Sequence, residues 1–333
     1  MTPNLKILFS VILLTTSTLG LADGKITTNA PGIPSIIADP LGPYPSQKIA
    51  PRTWVVHGPT ETPSEKNAGF MNNPGFIVTS NGVVIIDPGS SYNAGKSLLE
   101  RIRKVTDKPV THVFASHVHG DHWLGNHAII EAFPDVQLMA HPEMIREAKA
   151  GAAEQWITML EKLTNNATRG TKAVIPTIAL KDGQEIRTGG ITFRVILSEH
   201  AHTKTDAMIL VVEEKVLFTG DNVTYKRIAR MDDGSFTGNI EIIERALKLP
   251  VTTVVPGHGP SGEKKKTLNA FLTYLKTVYE NVAAMVDEGL EDFEMKKAIA
   301  PKLKNYANWP GFDKELGKHI SLAKLEAEAK MFE

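Results

Sequence analysis

The sequence predicts an α/β protein built as a four-layer αββα sandwich, with two β-sheets face to face, helices outside them and a C-terminal helical extension. Two blocks of strand-like runs, over residues 53–114 and 177–221, support this prediction because helical segments follow each block. Beyond Ser261, the apolar residues recur at helical spacing, which predicts the C-terminal helical extension. A length of 333 residues, 42% of them apolar, provides for a sizeable core.

The chain begins with the pattern of an exported protein. Lys6 precedes an apolar run that ends near Leu21, and the small residue Ala22 follows. This pattern is typical of a signal peptide cleaved after Ala22, whereas a transmembrane anchor would need a longer run and a basic flank. We therefore predict a signal peptide over residues 1–22, no membrane anchor after cleavage, and a periplasmic or secreted location. The absence of cysteine agrees with export to an oxidising compartment.

The first strand block follows a segment without periodicity. Residues 23–52 are rich in Pro and Gly and are predicted to form an extended arm on the domain. The runs TWVVHG, GFIVTS and VVIIDPG then read as strands, and Asn81-Gly82 is a two-residue hairpin signal. The long polar loop 58–73 separates the first two runs, and loops of that length are usually functional. The runs AGKSLLERIRKV and THVFAS predict a helix and a short buried strand.

The second strand block follows two predicted helices, through residues 128–133 and from Pro142 to about Leu163, with the strand VQLMA between them. The runs TIALKDG, QEIRT, ITFRVILSE, AMILVVEE and KVLFTGD are strand-like. IEIIERALKL is predicted as a helix with Asn239 as its N-cap, and TTVVPGHG as one more strand.

The end of the chain is predicted to be helical, with breaks at Pro301 and at Trp309-Pro310. We place the sandwich domain at residues 53–262 and a C-terminal helical extension, packed on the same domain, at residues 263–333. Thirty-seven basic residues balance 37 acidic ones, so no net field would attract nucleic acid or an anionic membrane. A small-molecule substrate is the expected partner.

The stretch SHVHGDHWLGNH, residues 116–127, holds four of the chain's eleven histidines. A His-x-His-x-Asp-His match is expected by chance on the order of 10⁻³ times in a chain of this length. Residues two apart in an extended strand end share a face, so His117 and His119 can point at one ion while Asp121 and His122 reach another. Imidazole and carboxylate ligands suit zinc, with iron or manganese as alternatives.

Further ligand candidates follow other strand-like runs, in EHAHTKTD (His200 and His202), FTGD (Asp221) and PGHGP (His258). All of them could gather at one edge of the sandwich. A lone histidine is usually structural, but strand-end candidates beside a complete motif favour ligands. The remaining histidines are predicted to be structural or at the surface: His57, His112, His127, His141 and His319.

The motifs HVHGDH, AHTKTD, LFTGD and VVPGHGP, in that order, resemble the metallo-β-lactamase superfamily, and GFIVTSNGVVIIDPG resembles its opening hairpin and aspartate. The resemblance covers Thr53 to Ser261. It implies a first metal site of His117, His119 and His202, a second site of Asp121, His122 and His258, and Asp221 as the bridge. Asp87 would steady the ligand loop. His202 is preferred to His200 because threonine follows it, as in the family.

This resemblance implies a hydrolase with two zinc ions and no protein nucleophile. Two ions lower the pKa of a bridging water, orient it at a carbonyl carbon and stabilise the oxyanion that forms. Asp121 would orient the attacking oxygen and carry its proton to the leaving group. The expected substrate is an ester, thioester, lactone or amide.

Asp221 stands where some antibiotic-hydrolysing members have cysteine or serine, which disfavours strict β-lactamase activity without excluding it. The exported chain with a helical tail is more similar to periplasmic zinc metallohydrolases linked to quinoprotein or sulfur-oxidation systems. The alternatives are a β-lactamase, a mono-iron persulfide dioxygenase, and a non-catalytic periplasmic accessory protein that binds metal or a redox partner. The complete second set of ligand candidates, with His122 and His258, disfavours the dioxygenase, which would bind a single iron ion.

Candidate substrate contacts lie beside the ligands in the sequence. A basic cluster after Asp221 could hold a substrate carboxylate or simply be an exposed loop: Tyr225, Lys226, Arg227 and Arg230. Phe70 and Met71, near the end of the long loop, could close over an apolar substrate or pack inside. Trp123, directly after the motif, is predicted to form a pocket wall.

Overall fold

The computed structural model describes residues 39–286 and 288–331. The predicted signal peptide and the arm up to residue 38 therefore lie outside the described residues. No helix within the described ranges combines the length and the apolar character needed to span a bilayer.

The first sheet has seven strands that follow one another in chain order. The first four strands pair antiparallel, and the fourth to the seventh pair parallel. The strands are β1 (Ser46–Ala50), β2 (Thr53–Val56), β3 (Gly75–Val78), β4 (Val83–Ile86), β5 (Val110–Phe114), β6 (Gln137–Ala140) and β7 (Ile178–Ala179). The end of the predicted arm thus forms the edge strand β1.

The second sheet has six strands, in the order β13-β12-β11-β10-β9-β8. Only β11 and β12 pair parallel; the other neighbours are antiparallel. The strands are β8 (Glu185–Thr188), β9 (Ile191–Leu197), β10 (Ala207–Val211), β11 (Val216–Phe218), β12 (Thr253–Val255) and β13 (Gly262–Glu263).

The helices cover the outer faces of both sheets. They are α1 (Tyr92–Arg103), α2 (Gly120–Trp123), α3 (Asn126–Ala132), α4 (Pro142–Glu147), α5 (Ala153–Leu163), α6 (Phe236–Leu247), α7 (Lys264–Val286), α8 (Asp292–Ile299) and α9 (Phe312–Lys330). Helices α1 and α3 bury Leu98 and Ile129 against the first sheet, and α6 to α9 cover the second. Between the sheets, Phe114 packs on Phe193. The predicted four-layer fold with a helical C-terminal segment is confirmed.

Two local predictions are wrong at turns. Val78 pairs with Val83, so four residues connect β3 and β4 instead of the predicted two. The Thr79 hydroxyl donates to the carbonyl of Gly82 and accepts from the Gly82 amide, which stabilises this longer loop. The predicted continuous helix from Pro142 to Leu163 is interrupted by a π-helical turn at Ala148–Ala152, where Gly151 has φ +114°.

Two further differences concern helix ends. Helix α6 begins at Phe236, and its N-cap is Ser235, whose hydroxyl accepts from the Gly238 amide at 3.1 Å. Asn239, the predicted cap, lies buried inside the helix and donates to the Asn222 carbonyl at 2.7 Å. In the C-terminal extension, α7 ends at Val286 and α8 begins at Asp292, a break that the sequence analysis missed.

The packing of α7 against α9 buries an ionisable pair. The Tyr274 hydroxyl lies 2.8 Å from His319 Nδ1, and desolvation lowers the pKa of His319 from 6.5 to about 4. As the pH falls through 6.5, the unfolded chain gains a proton at this residue while the folded chain stays neutral down to about 4. Folding stability is therefore lost across this window, by roughly 3 kcal/mol.

We expect His319→Gln to remove this dependence. Urea unfolding at several pH values measures this. Between pH 6.5 and pH 4, the free energy of unfolding should fall by about 3 kcal/mol less in the variant than in the unmodified chain. The same slope in both proteins would contradict a buried neutral His319.

Candidate metal centre

The polar residues at one edge of the sandwich are placed by strand ends of both sheets. Residues 117–122 follow β5, Asp221 follows β11 and His258 follows β12. His202 lies in the connection between β9 and β10. Because β11 and β12 are parallel neighbours, the loops after them meet at the same edge of the second sheet.

The structure brings together all seven residues that the sequence motifs named. His117, His119, His202 and Asp221 form one group of potential ligands, with donor atoms within 4.8 Å of one another. Asp121, His122 and His258 form a second group by the same measure. None of the seven is more than 5% exposed.

The Asp221 carboxylate lies between the two groups. Its Oδ2 is 3.6 Å from His202 Nε2, and its Oδ1 is 3.3 Å from His122 Nε2. The same Oδ2 lies 3.2 Å from His258 Nε2. One side chain therefore contacts donors of both groups, as a bridging ligand must.

Several donor atoms at this centre are buried and have no hydrogen-bond partner among the described residues: His117 Nε2, Asp121 Oδ2, His122 Nε2 and Asp221 Oδ1. Buried polar atoms without partners are costly, and a bound cation would satisfy them together. Imidazole nitrogens and carboxylate oxygens are the donors that zinc takes in proteins. The residues present therefore fit a metal centre.

The electrostatics of the two groups differ. Burial lowers the pKa of His117 well below its usual range and that of His202 to about 3. Burial also opposes protonation of His122, but the carboxylates of Asp121, Asp221 and Asp87 raise its pKa well above the usual range. A proton on His122 thus compensates the carboxylates, and metal binding would displace it.

The second nitrogen of each ligand histidine from the motif is held by a neighbour. Asp87 Oδ2 lies 2.8 Å from His122 Nδ1, and Ser116 Oγ lies 2.9 Å from His117 Nδ1. Asp233 Oδ2 lies 3.2 Å from His119 Nε2, so His119 presents Nδ1 to the centre. Such partners orient ligand rings in metal sites. Asp233 was missed because nothing in its local sequence signals this role.

Asp87 holds the ligand loop from two sides. Its Oδ1 accepts the Ser116 amide at 2.7 Å, and its backbone carbonyl accepts from the Asn72 side chain at 3.0 Å. Its φ of +54° is a conformation rarely adopted by residues other than glycine, so these contacts maintain a strained backbone. Asp87 thus contacts the loop that carries the predicted ligands, and its role beside a bound metal stays a prediction.

A glycine allows the ligand loops to approach closely. A Cβ atom on Gly257 would lie 1.8 Å from Asp221 Oδ1. Any side chain there would displace the Asp221 carboxylate, which explains glycine directly before His258.

A cavity of about 470 Å³ opens beside the first group. Its lining includes His119, Trp156, Lys204 and Asp233, and the Trp156 ring lies 4.7 Å from that of His119. His200 also lines this cavity, and its Nε2 lies 3.1 Å from the Asp233 carbonyl oxygen, outside both ligand groups. Trp156 was missed because a tryptophan in an amphipathic helix reads as core.

Two predicted substrate contacts are wrong. Phe70 is fully buried and packs edge-on against Tyr44 in the core of the first sheet. Trp123 is also fully buried, and its indole N–H donates to the Val118 carbonyl at 2.9 Å. Neither ring can touch a substrate, because helix α2 and the loop 58–73 turn them inward.

The other candidates lie nearer the centre. The Met71 carbonyl lies 2.7 Å from His258 Nδ1, which fixes that ring. Tyr225 packs edge-on against Trp309, and the exposed Lys226 lies over the Tyr225 ring. Arg230 pairs with Asp232 at 3.0 Å. Arg227 places its guanidinium 3.3 Å from His258 Nδ1.

The fold and the donor set together define an αββα protein with a centre that could hold two metal ions. Residues 68–258 match the family described as the Metallo-beta-lactamase superfamily, and the chain belongs to this superfamily.

Curated relatives include hydrolases of more than one kind. The chain is 30% identical over 200 residues to an atrochrysone carboxyl ACP thioesterase of Paecilomyces divaricatus, covering 58% of this chain and 52% of the relative. It is 23% identical over 236 residues to a type 2 metallo-beta-lactamase of Bacillus sp. (strain 170), covering 69% of this chain and 81% of the relative. The chain spans about half the length of the thioesterases that it matches. These relatives support a hydrolase.

Solved structures share the fold. A metallo-beta-lactamase from Pontibacter korlensis matches with a TM-score of 0.56 at 20% identity, over 70% of this chain and 99% of that one. The sec-alkylsulfatase Pisa1 from Pseudomonas sp. matches with a TM-score of 0.65 at 15% identity, over 85% of this chain and 50% of that one. At these identities the likeness concerns the fold alone.

Proposed function

We propose that this protein is a dinuclear zinc hydrolase that attacks the carbonyl carbon of an ester, thioester, lactone or amide. The observation that carries the proposal is the position of Asp221, whose carboxylate contacts donors of both ligand groups. A carboxylate shared in this way suits a pair of ions better than a single one. When bound, two zinc ions would lower the pKa of a water between them and polarise the substrate carbonyl.

In this proposal, Asp121 transfers a proton from the attacking water to the leaving group. Its Oδ2 is buried and lies 3.3 Å from His258 Nε2. Burial favours the neutral acid, but His122 and His258 lower the pKa of Asp121 far below its usual range, so it stays an acceptor. It would orient the attacking water, accept its proton and deliver that proton to the leaving group. The buried surroundings limit competing bulk water.

Three of the relatives support attack at a carbonyl carbon, whereas a linear primary-alkylsulfatase of Pseudomonas sp. matches only 32% of this chain. The thioesterases and the β-lactamase both carry names for reactions at a carbonyl carbon. β-Lactam hydrolysis is the second candidate, because the chain covers 81% of the type 2 metallo-beta-lactamase. Export to the periplasm or the medium, which the N-terminal sequence predicts, belongs to the same proposal.

Metal analysis and one substrate panel test this function. We expect about two zinc ions per chain in protein purified from its native compartment, and turnover of at least one thioester, ester, lactone or amide. A chromogenic cephalosporin tests the β-lactamase reading. One iron per chain with oxygen consumption on a persulfide would overturn the proposal in favour of a dioxygenase. A fully loaded centre without turnover would point to an accessory protein.

A further inference from the structure

The turn that leads into helix α6, residues 233–238, packs against the loops of the first ligand group, and we name it the entry segment. Asp233 Oδ2 lies 3.2 Å from His119 Nε2. The Ser235 amide donates to the Ala201 carbonyl at 2.8 Å. The entry segment therefore contacts one ligand directly and the chain next to a second one.

Two glycines bring the entry segment against the backbone that carries His202. A Cβ atom on Gly234 would lie 2.8 Å from the carbonyl oxygens of both Ala201 and His202. A Cβ atom on Gly238 would lie 1.8 Å from the carbonyl oxygen of His200. Backbone thus packs on backbone with no side chain between them, so a shift of the entry segment would move His202 with it.

A carboxylate of the C-terminal extension holds the entry segment. Glu326, in helix α9, accepts the Phe236 amide at 2.7 Å, the Thr237 amide at 3.1 Å and the Ser235 hydroxyl at 2.9 Å. The Thr237 hydroxyl donates to the same carboxylate. The first amides of a helix have no partner within it, so a negative charge that accepts them is stabilising.

Helix α9 presents this carboxylate from a packed position. Its residues Ile320 and Ala323 belong to the core under the second sheet. The His319 ring packs edge-on against the Phe236 ring, with 5.8 Å between their centres. Glu326 is therefore fixed by the extension and can fix the entry segment in turn.

The second ligand group is held by other parts of the chain. Asp87 Oδ2 lies 2.8 Å from His122 Nδ1, and the Met71 carbonyl lies 2.7 Å from His258 Nδ1. Neither Asp87 nor Met71 belongs to the entry segment or to helix α9. A change at Glu326 should therefore act on one ligand group and spare the other.

We propose that Glu326 is a positioning residue of the metal centre. By holding the entry segment, it keeps His119 and His202 in place and raises the zinc affinity of the first group selectively. The C-terminal extension thereby contributes to the centre without touching a substrate. This inference rests on the proposed function for the identity of the metal.

Zinc competition with a chromophoric chelator tests the proposal. Partners that contact a metal ligand directly change its affinity by about 10- to 100-fold, and Glu326 acts through such a partner, Asp233. We therefore expect Glu326→Ala to raise one of two zinc dissociation constants by about 3- to 10-fold and the other by less than about twofold. Glu326→Gln keeps one acceptor oxygen and should recover part of the loss.

Two comparisons separate this effect from a general loosening of the fold. In a His119→Ala background, where the first group is already impaired, Glu326→Ala should leave the remaining zinc affinity unchanged. Ser321→Ala is the matched control, because Ser321 lies on the same helix and its hydroxyl donates to Asp292 of α8. A loss of the remaining affinity, or equal losses in Ser321→Ala, would overturn the proposal.

Hydrogen exchange of the metal-free chain separates this inference from the proposed function. We expect Glu326→Ala to speed exchange in residues 200–203 and at the Ser235 amide by about tenfold, and to leave residues 256–259 unchanged. Unchanged exchange in residues 200–203 would overturn the role of Glu326. If zinc binds but no substrate is hydrolysed, the hydrolase proposal fails, while zinc affinity and exchange still test Glu326.

Discussion

Replacing Asp221 with asparagine is expected to weaken zinc binding at both positions and to remove most of the hydrolysis. Residues that merely support a metal ligand change metal affinity by about 10- to 100-fold, so a ligand shared by two ions should cost at least about 100-fold. Asparagine has nearly the shape of aspartate, which matters where Gly257 packs so closely. The effect should therefore come from the lost charge and not from displaced loops.

Competition with a chromophoric chelator measures this change, together with turnover of the best substrate. Asp135→Asn, at an exposed aspartate, is the matched control and should bind zinc like the unmodified chain. If Asp221→Asn lost only one of two zinc ions, Asp221 would serve one group and the bridging role would be wrong.

The fold was predictable because its buried strands and its amphipathic helices have different apolar patterns. The strands VVII and AMILV are apolar throughout, and both are fully buried between a second sheet and helices. The predicted ligands were recognisable because each lies within a few residues of the end of an apolar strand, as Asp221 lies shortly after VLF in β11. Strand ends on one edge converge in space, so local sequence was enough to collect them.

The residues that the sequence did not reveal act through contacts that have no local signature. Asp233 reaches His119 across 114 positions of the chain, and the Trp156 ring lies 4.7 Å from that of His119. Trp123 shows the opposite error: it was predicted to line a pocket because it follows the predicted ligand His122 in sequence, but it is buried. Within helix α2, neighbouring residues point in different directions, so Trp123 faces the core while His122 faces the centre.

Replacing His119 with alanine is expected to lower hydrolysis by about a thousandfold. His119 supplies one of four donors in the first group, and its Nδ1 lies 3.2 Å from His202 Nε2. A catalytic ion contributes several kcal/mol to the transition state, and each 1.36 kcal/mol corresponds to about tenfold in rate. The second group keeps its own donors, so zinc content should fall toward one ion per chain. This differs from Asp221→Asn, which should lower the zinc affinity of both ligand groups.

His127, in the same histidine-rich stretch, provides the control for His119→Ala. The His127 ring packs against Tyr92 and its Nδ1 accepts the Lys172 amide at 3.2 Å, outside both ligand groups. His127→Ala should therefore keep its zinc and change kcat/KM by less than about twofold, since it loses only partly exposed contacts. Equal losses in both variants would mean that the histidines act by maintaining the loop. His119→Ala should weaken binding of the ion in the first group. Full activity in this variant would therefore show that hydrolysis does not need this ion, which would refute the proposed mechanism.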